Sequence, residues 1–404
     1  MSPVSHGRTP KKNKKKSPAR QGGRPPGAPA RPAWFKVAIN SVLEGAEALV
    51  TAEGPREIEE TTAALLGAEL DLVVQNKNTG LFFDDWFEDL VATATAQIKA
   101  SSLVGDDSGE RPWRLLQGLS SLTSSEVRQT VRIALRRAGK WRRGKSESPW
   151  VGQLGSIAAV GDVWELRDAY GTRFGMVANF AYPEGLDPTV FLWDVDASGF
   201  IALGPAGVYD GVEQAADAWR EMVGDTAANA ELQQVEGHSV GLSALAHCGR
   251  LPRYVMGNES RTTFDNWFRA RRRIADLDEA LHLRGRSLVD PESLFAEPED
   301  EDMATQFADW YHLHFGAKPR LDAVEELATE WMESLLPETW FSVSPLRINH
   351  FLGLLSDWLP EDSLTVEAKL LLPKWAQWLG ETSGLPSELV ERVVADAGSP
   401  YVAE

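Results

Sequence analysis

The stretch Asp162–Tyr182, DVWELRDAYGTRFGMVANFAY, and its continuation Thr189–Gly204, TVFLWDVDASGFIALG, decide the fold. Four runs within them, DVWELRDA, TRFGMVANFAY, TVFLWDVD and GFIALG, are rich in β-branched and aromatic residues and have strand lengths. Two of the three junctions share one chemistry. Asp168-Ala169-Tyr170-Gly171 and Asp196-Ala197-Ser198-Gly199 each begin with an Asp able to close a turn on its own backbone, and each ends with a Gly suited to positive φ. Strands joined in this way form a four-stranded antiparallel β-meander, and 211–223 reads as a helix covering one of its faces.

Both flanks change to helical periodicity. Upstream, Phe35, Ile39, Val42, Leu43, Ala46, Leu49 and Val50 line one helical face, and 56–75 and 81–103 read similarly. Thr123-Ser124-Ser125-Glu126 has the form of a capping box and opens a helix that stops near Gly139 or Gly144. Downstream, 225–260 is poorly patterned, and helices then resume to the end. Ser344-Pro345 places a cap before a proline at a first helical position, and Gly398 closes the last helix. The fold class is therefore α+β, mostly α-helical. Its expected organisation is a disordered basic tail (1–33), a helical region (34–150), the meander with its helix (151–225), an irregular connector (226–260) and an acidic Trp-rich helical region (261–404). Trp331, Trp340, Trp358, Trp375 and Trp378 fall in that last region and are expected to build its core, since Trp dominates burial wherever it occurs. FFDDWF (82–87) and TTFDNWF (262–268) resemble one another, with QFADWY (306–311) a looser relative, and read as helix starts with aromatics packed around the first turn.

Composition narrows the function classes. An apolar fraction of 43% and a charged fraction of 25% are those of a globular chain. The single Cys248 excludes an internal disulfide framework and suits a reducing compartment. No uninterrupted apolar run approaches the roughly 20 residues that span a bilayer. Lys36, Asn40, Glu44 and Glu47 interrupt the first apolar stretch, so no secretory signal is expected and the expected location is cytoplasmic. Charge is strongly asymmetric. Residues 1–32 carry nine Lys or Arg and no acid, residues 287–404 carry 23 acids against six bases, and the whole chain has a formal net charge of −18.

Few motifs carry specific chemistry. Gly237-His238-Ser239-Val240-Gly241 resembles the G-x-S-x-G nucleophile elbow of α/β-hydrolases, which would make Ser239 a catalytic nucleophile. The preceding AELQQVE is too polar for the buried parallel strand that such an elbow needs, and the upstream strands read as hairpins. Asp194, Asp196, Ser198 and Gly199 resemble the start of an EF-hand loop, yet its twelfth position is Pro205 instead of a bidentate Glu. The histidines have no metal-ligand spacing, and no phosphate-binding Gly-rich loop occurs, so neither a metal nor a cofactor is expected.

The basic features remain. Lys11, Lys12, Lys14, Lys15, Lys16 and Arg20 lie in the tail, while Arg128, Arg132, Arg136, Lys140 and Arg143 share one helical stripe with no acid between 127 and 146. Nearby acids normally relieve such repulsion, so an acidic partner is expected to face the stripe. Arg269, Arg271, Arg272 and Arg273 form another cluster, which Asp276, Asp278 and Glu279 are placed to neutralise. Mobile lysines hold phosphates without reading bases. The leading expectation is a non-enzymatic binding protein: its basic tail and stripe would contact the backbone of DNA or RNA, or an acidic partner, and its acidic helical region would be a protein-interaction scaffold. The competing expectations are a serine hydrolase at Ser239, a tail folded back on the acidic region, and a pure protein-interaction module whose tail is incidental.

Overall fold

The computed structural model describes residues 32–75, 83–123, 125–142, 147–183, 188–199, 201–250, 260–288, 300–333, 336–357 and 363–399. The tail residues Lys11 to Arg20, together with Ser124, Arg143 and Trp358, lie outside them.

The hairpin reading holds, with one strand added. Strands β1 (Ala158–Arg167), β2 (Arg173–Ala181), β3 (Thr189–Asp196) and β4 (Ala202–Tyr209) form the antiparallel meander. The fifth strand, β5 (Gln233–Gln234), pairs with β1 and gives the order β4-β3-β2-β1-β5. β5 is two exposed glutamines, so it carries no apolar alternation by which a sequence reader could find it. Period-two alternation sorts the side chains of β3. Val190 and Leu192 join Trp219 on one face, while Phe191, Trp193 and Val195 enter the larger core on the other.

Asp168 closes the β1–β2 turn as its chemistry requires, its Oδ1 accepting the N–H groups of Thr172 (2.9 Å) and Arg173 (3.0 Å), with Gly171 at φ +70°. Asp196 likewise accepts from Ser198 N (2.8 Å) and Oγ (2.5 Å). Gly199 departs from the expectation: it is not among the glycines of positive φ. Its reason is space, because a Cβ there would lie 2.7 Å from the His350 ring.

The helix expected over 211–223 is α6, which in this chain-order numbering spans Val212–Val223 and covers the Val190/Leu192 face. The five helices before the sheet are α1 (Trp34–Gly45), α2 (Pro55–Gln75), α3 (Phe83–Val104), α4 (Glu110–Leu122) and α5 (Ser125–Gly139). With α7 (Val240–Arg250) and α8 (Arg261–Leu283) they share one core with the opposite sheet face. Two similar sequence stretches meet in that core: Phe87 at the start of α3 packs edge-on against Phe268 of α8, with centroids 5.7 Å apart.

α2 and α8 approach closely at Gly67. A Cβ on Gly67 would collide with the Phe264 carbonyl, so the contact admits only glycine. Beneath it, buried Arg273 binds both Glu59 and Asp276 (2.9 Å to the latter), and Arg272 also binds Asp276. Burial raises the Asp276 carboxyl above its usual value, with the two arginines opposing that shift. Trp193 of β3 donates its Nε1–H to the Ala270 carbonyl at 3.0 Å, which ties the helix pair to the sheet.

The remaining helices, α9 (Asp300–Phe315), α10 (Leu321–Met332), α11 (Pro345–Asp357), α12 (Ser363–Thr382) and α13 (Ser387–Ala397), form a second core. As expected, Trp331, Trp375 and Trp378 are buried there, and Trp340 packs against it half-buried. Ser344 caps α11 by accepting the Arg347 N–H (3.2 Å), and Gly398 is the C-cap of α13. Tyr170, at the tip of the β1–β2 turn, is buried in this second core and joins the sheet to it. Among the described residues no helix is long and apolar enough to cross a membrane.

Replacing Arg273 with Met leaves Glu59 and Asp276 buried without their shared cation. The expected cost is about 3–5 kcal/mol of unfolding free energy, read from denaturant midpoints. Gly67→Ala is expected to cost about 1–3 kcal/mol through overpacking in the same assay. His350 is held below its usual pKa by burial and then by Arg347. The unfolded chain therefore binds this proton more readily, and His350 contributes a loss of stability as pH falls through roughly 6.5. His350→Gln is expected to remove that component of the pH dependence.

Candidate nucleic-acid interface

The sequence of α5 divides it lengthwise. Val127, Val131, Ala134 and Ala138 form a buried edge against α3 and α4. Arg132, Arg136 and Lys140 of the expected stripe are exposed, and Arg137 is exposed beside them. None of these four has a carboxylate partner among the described residues. From Arg128 to Lys140 the stripe runs along about 18 Å of helix axis. Arg136 and Arg137 stand in the last turn, where the helix dipole favours positive charge.

Arg128, the first member, behaves differently. It is half-buried, and its Nη2 donates to the Thr123 carbonyl at 3.0 Å. Burial, followed by repulsion from Arg272, brings its pKa down to about 10, against attraction from Asp276 and Glu279. Among the described residues, acids of α8 act on the stripe at Arg128, through their field and without an ion pair. The cations beyond it are left to solvent.

Two further residues complete this surface. Lys99 of α3 is exposed, and its Nζ lies 6.0 Å from the Trp141 ring centroid. Ser102 Oγ donates to the Trp141 carbonyl (3.0 Å), which holds the end of α3 against the end of the stripe. Sequence spacing could have added Arg137 as a neighbour on the helix surface, whereas Lys99 arrives only through tertiary packing. Arg142 turns inward: it binds Glu110 (2.6 Å), approaches Glu147 (3.6 Å) and stacks 4.8 Å from the Trp113 centroid.

The arginine cluster of α8 is neutralised, only partly by the local acids expected. Arg272 and Arg273 do bind Asp276, but Arg273 also binds Glu59 and Arg269 binds Glu60 (2.7 Å), both on α2. This cross-helix pairing, 214 residues apart for Arg273 and Glu59, leaves no signature in the linear sequence.

Ser239 is a helix cap. Its Oγ accepts the Leu242 N–H at 3.1 Å and its carbonyl accepts the Ser243 N–H, closing the first turn of α7. The strand before it is the two-residue β5, antiparallel and at the sheet edge, in place of a central parallel strand. Among the described residues no histidine bonds Ser239 Oγ. Gly241 has a packing reason, since a Cβ there would press on the Met176 sulfur and the Glu165 carboxylate. The EF-hand-like acids are committed elsewhere. Arg173 grips Asp194 with Nε (2.9 Å) and Nη2 (2.7 Å), and Trp219 Nε1 donates to the same carboxylate at 3.0 Å. Among the described residues no group of His, Cys, Asp and Glu is placed to hold a metal.

Ser239→Ala is expected to lower stability by about 1 kcal/mol through loss of the cap, and a fluorophosphonate probe is expected to give no labelling that depends on Ser239. No protein-family model matches this chain, and neither does any curated protein or solved structure, so a functional reading rests on the geometry alone.

Proposed function

We propose that this is a non-enzymatic, cytoplasmic binding protein that holds nucleic-acid phosphates without reading base sequence. It uses the outer face of α5, with Lys99 beside it, and the basic tail Lys11 to Arg20. The observation that carries the reading is the solvent-facing run Arg132, Arg136, Arg137 and Lys140, with no carboxylate to quench it among the described residues. In a chain of net charge −18, such a run is not a by-product of general basicity. Cations four residues apart advance about 6 Å along the helix axis. Phosphates recur about every 3.4 Å along each strand of a duplex, so alternate phosphates come within reach. Half-buried Trp141 beside Lys99 offers an aromatic edge at one end of the face.

The acidic helical region serves, in this reading, as the protein-facing scaffold. Its support is the charge of the sequence there, 23 acids against six bases over residues 287–404. The buried Cys248 is compatible with a reducing compartment.

The test is binding of mixed-sequence duplex across a salt series, for the full chain and for Arg132→Gln/Arg136→Gln/Lys140→Gln. Three lost phosphate contacts should flatten the log–log salt slope by about 2.7, and scrambling the duplex sequence should leave affinity within about twofold. An unchanged slope in the triple variant, or absence of duplex binding by the full chain, would contradict the proposal.

A further inference from the structure

A second cationic feature opens at the edge of the sheet and shares no residue with the α5 face. β4 is an edge strand, with no partner on its outer side among the described residues. α6 covers one face of the sheet beside it and α8 the other, and between them lies a cleft of about 450 Å³. Its walls are chemically divided. Ala206 and Val208 of β4 and Ala218 and Met222 of α6 make the apolar side. Arg56, Glu60, Asn266 and Arg269 make the polar side, with Ser260 and Thr262 at the start of α8 on the rim.

Charge on the polar side does not balance. Arg56 Nε (3.0 Å) and Arg269 Nη1 (2.7 Å) both bind the same oxygen of Glu60. One carboxylate thus serves two guanidiniums, and the wall keeps one positive charge. Arg269 is set deep, with its side chain 8% exposed; Nη2 donates to Asn266 Oδ1 (2.6 Å) and Nε has no hydrogen-bond partner. Burial lowers its pKa despite Glu60. Arg56 is the more exposed of the two, and the Nη atoms of its fork have no partner among the described residues. A guanidinium edge of this kind matches a carboxylate in two parallel hydrogen bonds. The N–H groups of Arg261 and Thr262 precede the first hydrogen bonds of α8, so the helix start adds positive potential at the rim.

The occupant that fits is small. Addition of a peptide strand to β4 is opposed by Pro205, which has no N–H, and by the register shift opposite Trp193 and Val195. A cation would meet a wall already positive, and a fully apolar molecule would leave that wall unpaired. We propose that this cleft binds a small organic carboxylate with a short hydrocarbon or aromatic body. Its carboxylate lies on Arg56 and Arg269, and its body lies against Ala206, Val208 and Met222.

The test uses the full chain and ligand-observed NMR titrations with butanoate, hexanoate, octanoate and phenylacetate, with hexan-1-ol and hexylammonium as charge controls. At least one carboxylate is expected to bind saturably, at least tenfold more tightly than hexan-1-ol, with no binding of hexylammonium. Arg56→Met, at a half-exposed position that the fold tolerates, should weaken the carboxylate at least tenfold while leaving any hexan-1-ol binding unchanged. Ala218→Trp should abolish binding by filling the apolar wall, with a thermal melt reporting that the variant is folded. Failure of every carboxylate to bind would overturn the proposal. So would equal binding of hexanoate and hexan-1-ol, or an unchanged affinity in Arg56→Met.

Discussion

Arg273, buried between Glu59 of α2 and Asp276 of its own helix, is the interaction on which the larger body of this protein depends. Three charges are withdrawn from water there, and such a group is tolerable only when each member keeps its partners. Gly67 lets the two backbones approach closely enough for the pairing, and the Trp193 hydrogen bond to Ala270 fixes the pair on the sheet. The N-terminal helices and the meander are thereby one core. Arg269 with Glu60 and Arg261 with Asp71 add to the α2–α8 seam, and Arg284 bonds the carbonyls of Ala159 and Gly161 on β1.

That network also decides which positive charges are presented outward. Asp276 is committed to Arg272 and Arg273, while Glu59 and Glu60 are committed to Arg273 and to Arg269 with Arg56. Arg128, at the buried end of the stripe, draws on the fields of Asp276 and Glu279. Little acidic charge is left over to reach farther along α5. The arginines of α8 thus act mainly inside the molecule and those of α5 mainly outside, a contrast already visible in the acids that follow Arg273 and are absent from 127–146. Within this ion-pair network four guanidiniums, of Arg56, Arg269, Arg272 and Arg273, share the three carboxylates of Glu59, Glu60 and Asp276, and Arg56 and Arg269 with their single Glu60 line the cleft beside β4.

The parts legible in the sequence are those governed by local period and turn chemistry. The meander followed from β-branched runs and from Asp168, whose side chain caps the turn it begins. The Trp-rich core followed from composition, because an indole is too large to leave exposed in such numbers. The features that local pattern does not disclose share one origin in tertiary geometry. Gly199 signals a close approach by His350, with no left-handed backbone involved. Gly237 to Gly241 imitate a nucleophile elbow, yet Gly241 makes room for Met176 and Ser239 caps a helix. β5 has no pattern to read, and Lys99 reaches the α5 face only by the packing of α3. The cleft at β4 draws on five separated segments and has no linear trace at all.

The central claim is that α5 presents its positive charge to nucleic acid while α8 spends its own internally. Ultraviolet cross-linking of the full chain to mixed-sequence oligonucleotides, with the linked peptides mapped by mass spectrometry, tests this division directly. Cross-links should concentrate on the peptide containing Trp141, on neighbouring α5 residues and on the basic tail, with Arg269 to Arg273 unlabelled. Cross-links centred on the α8 arginines or on the helices after residue 300, with α5 unmarked, would contradict it.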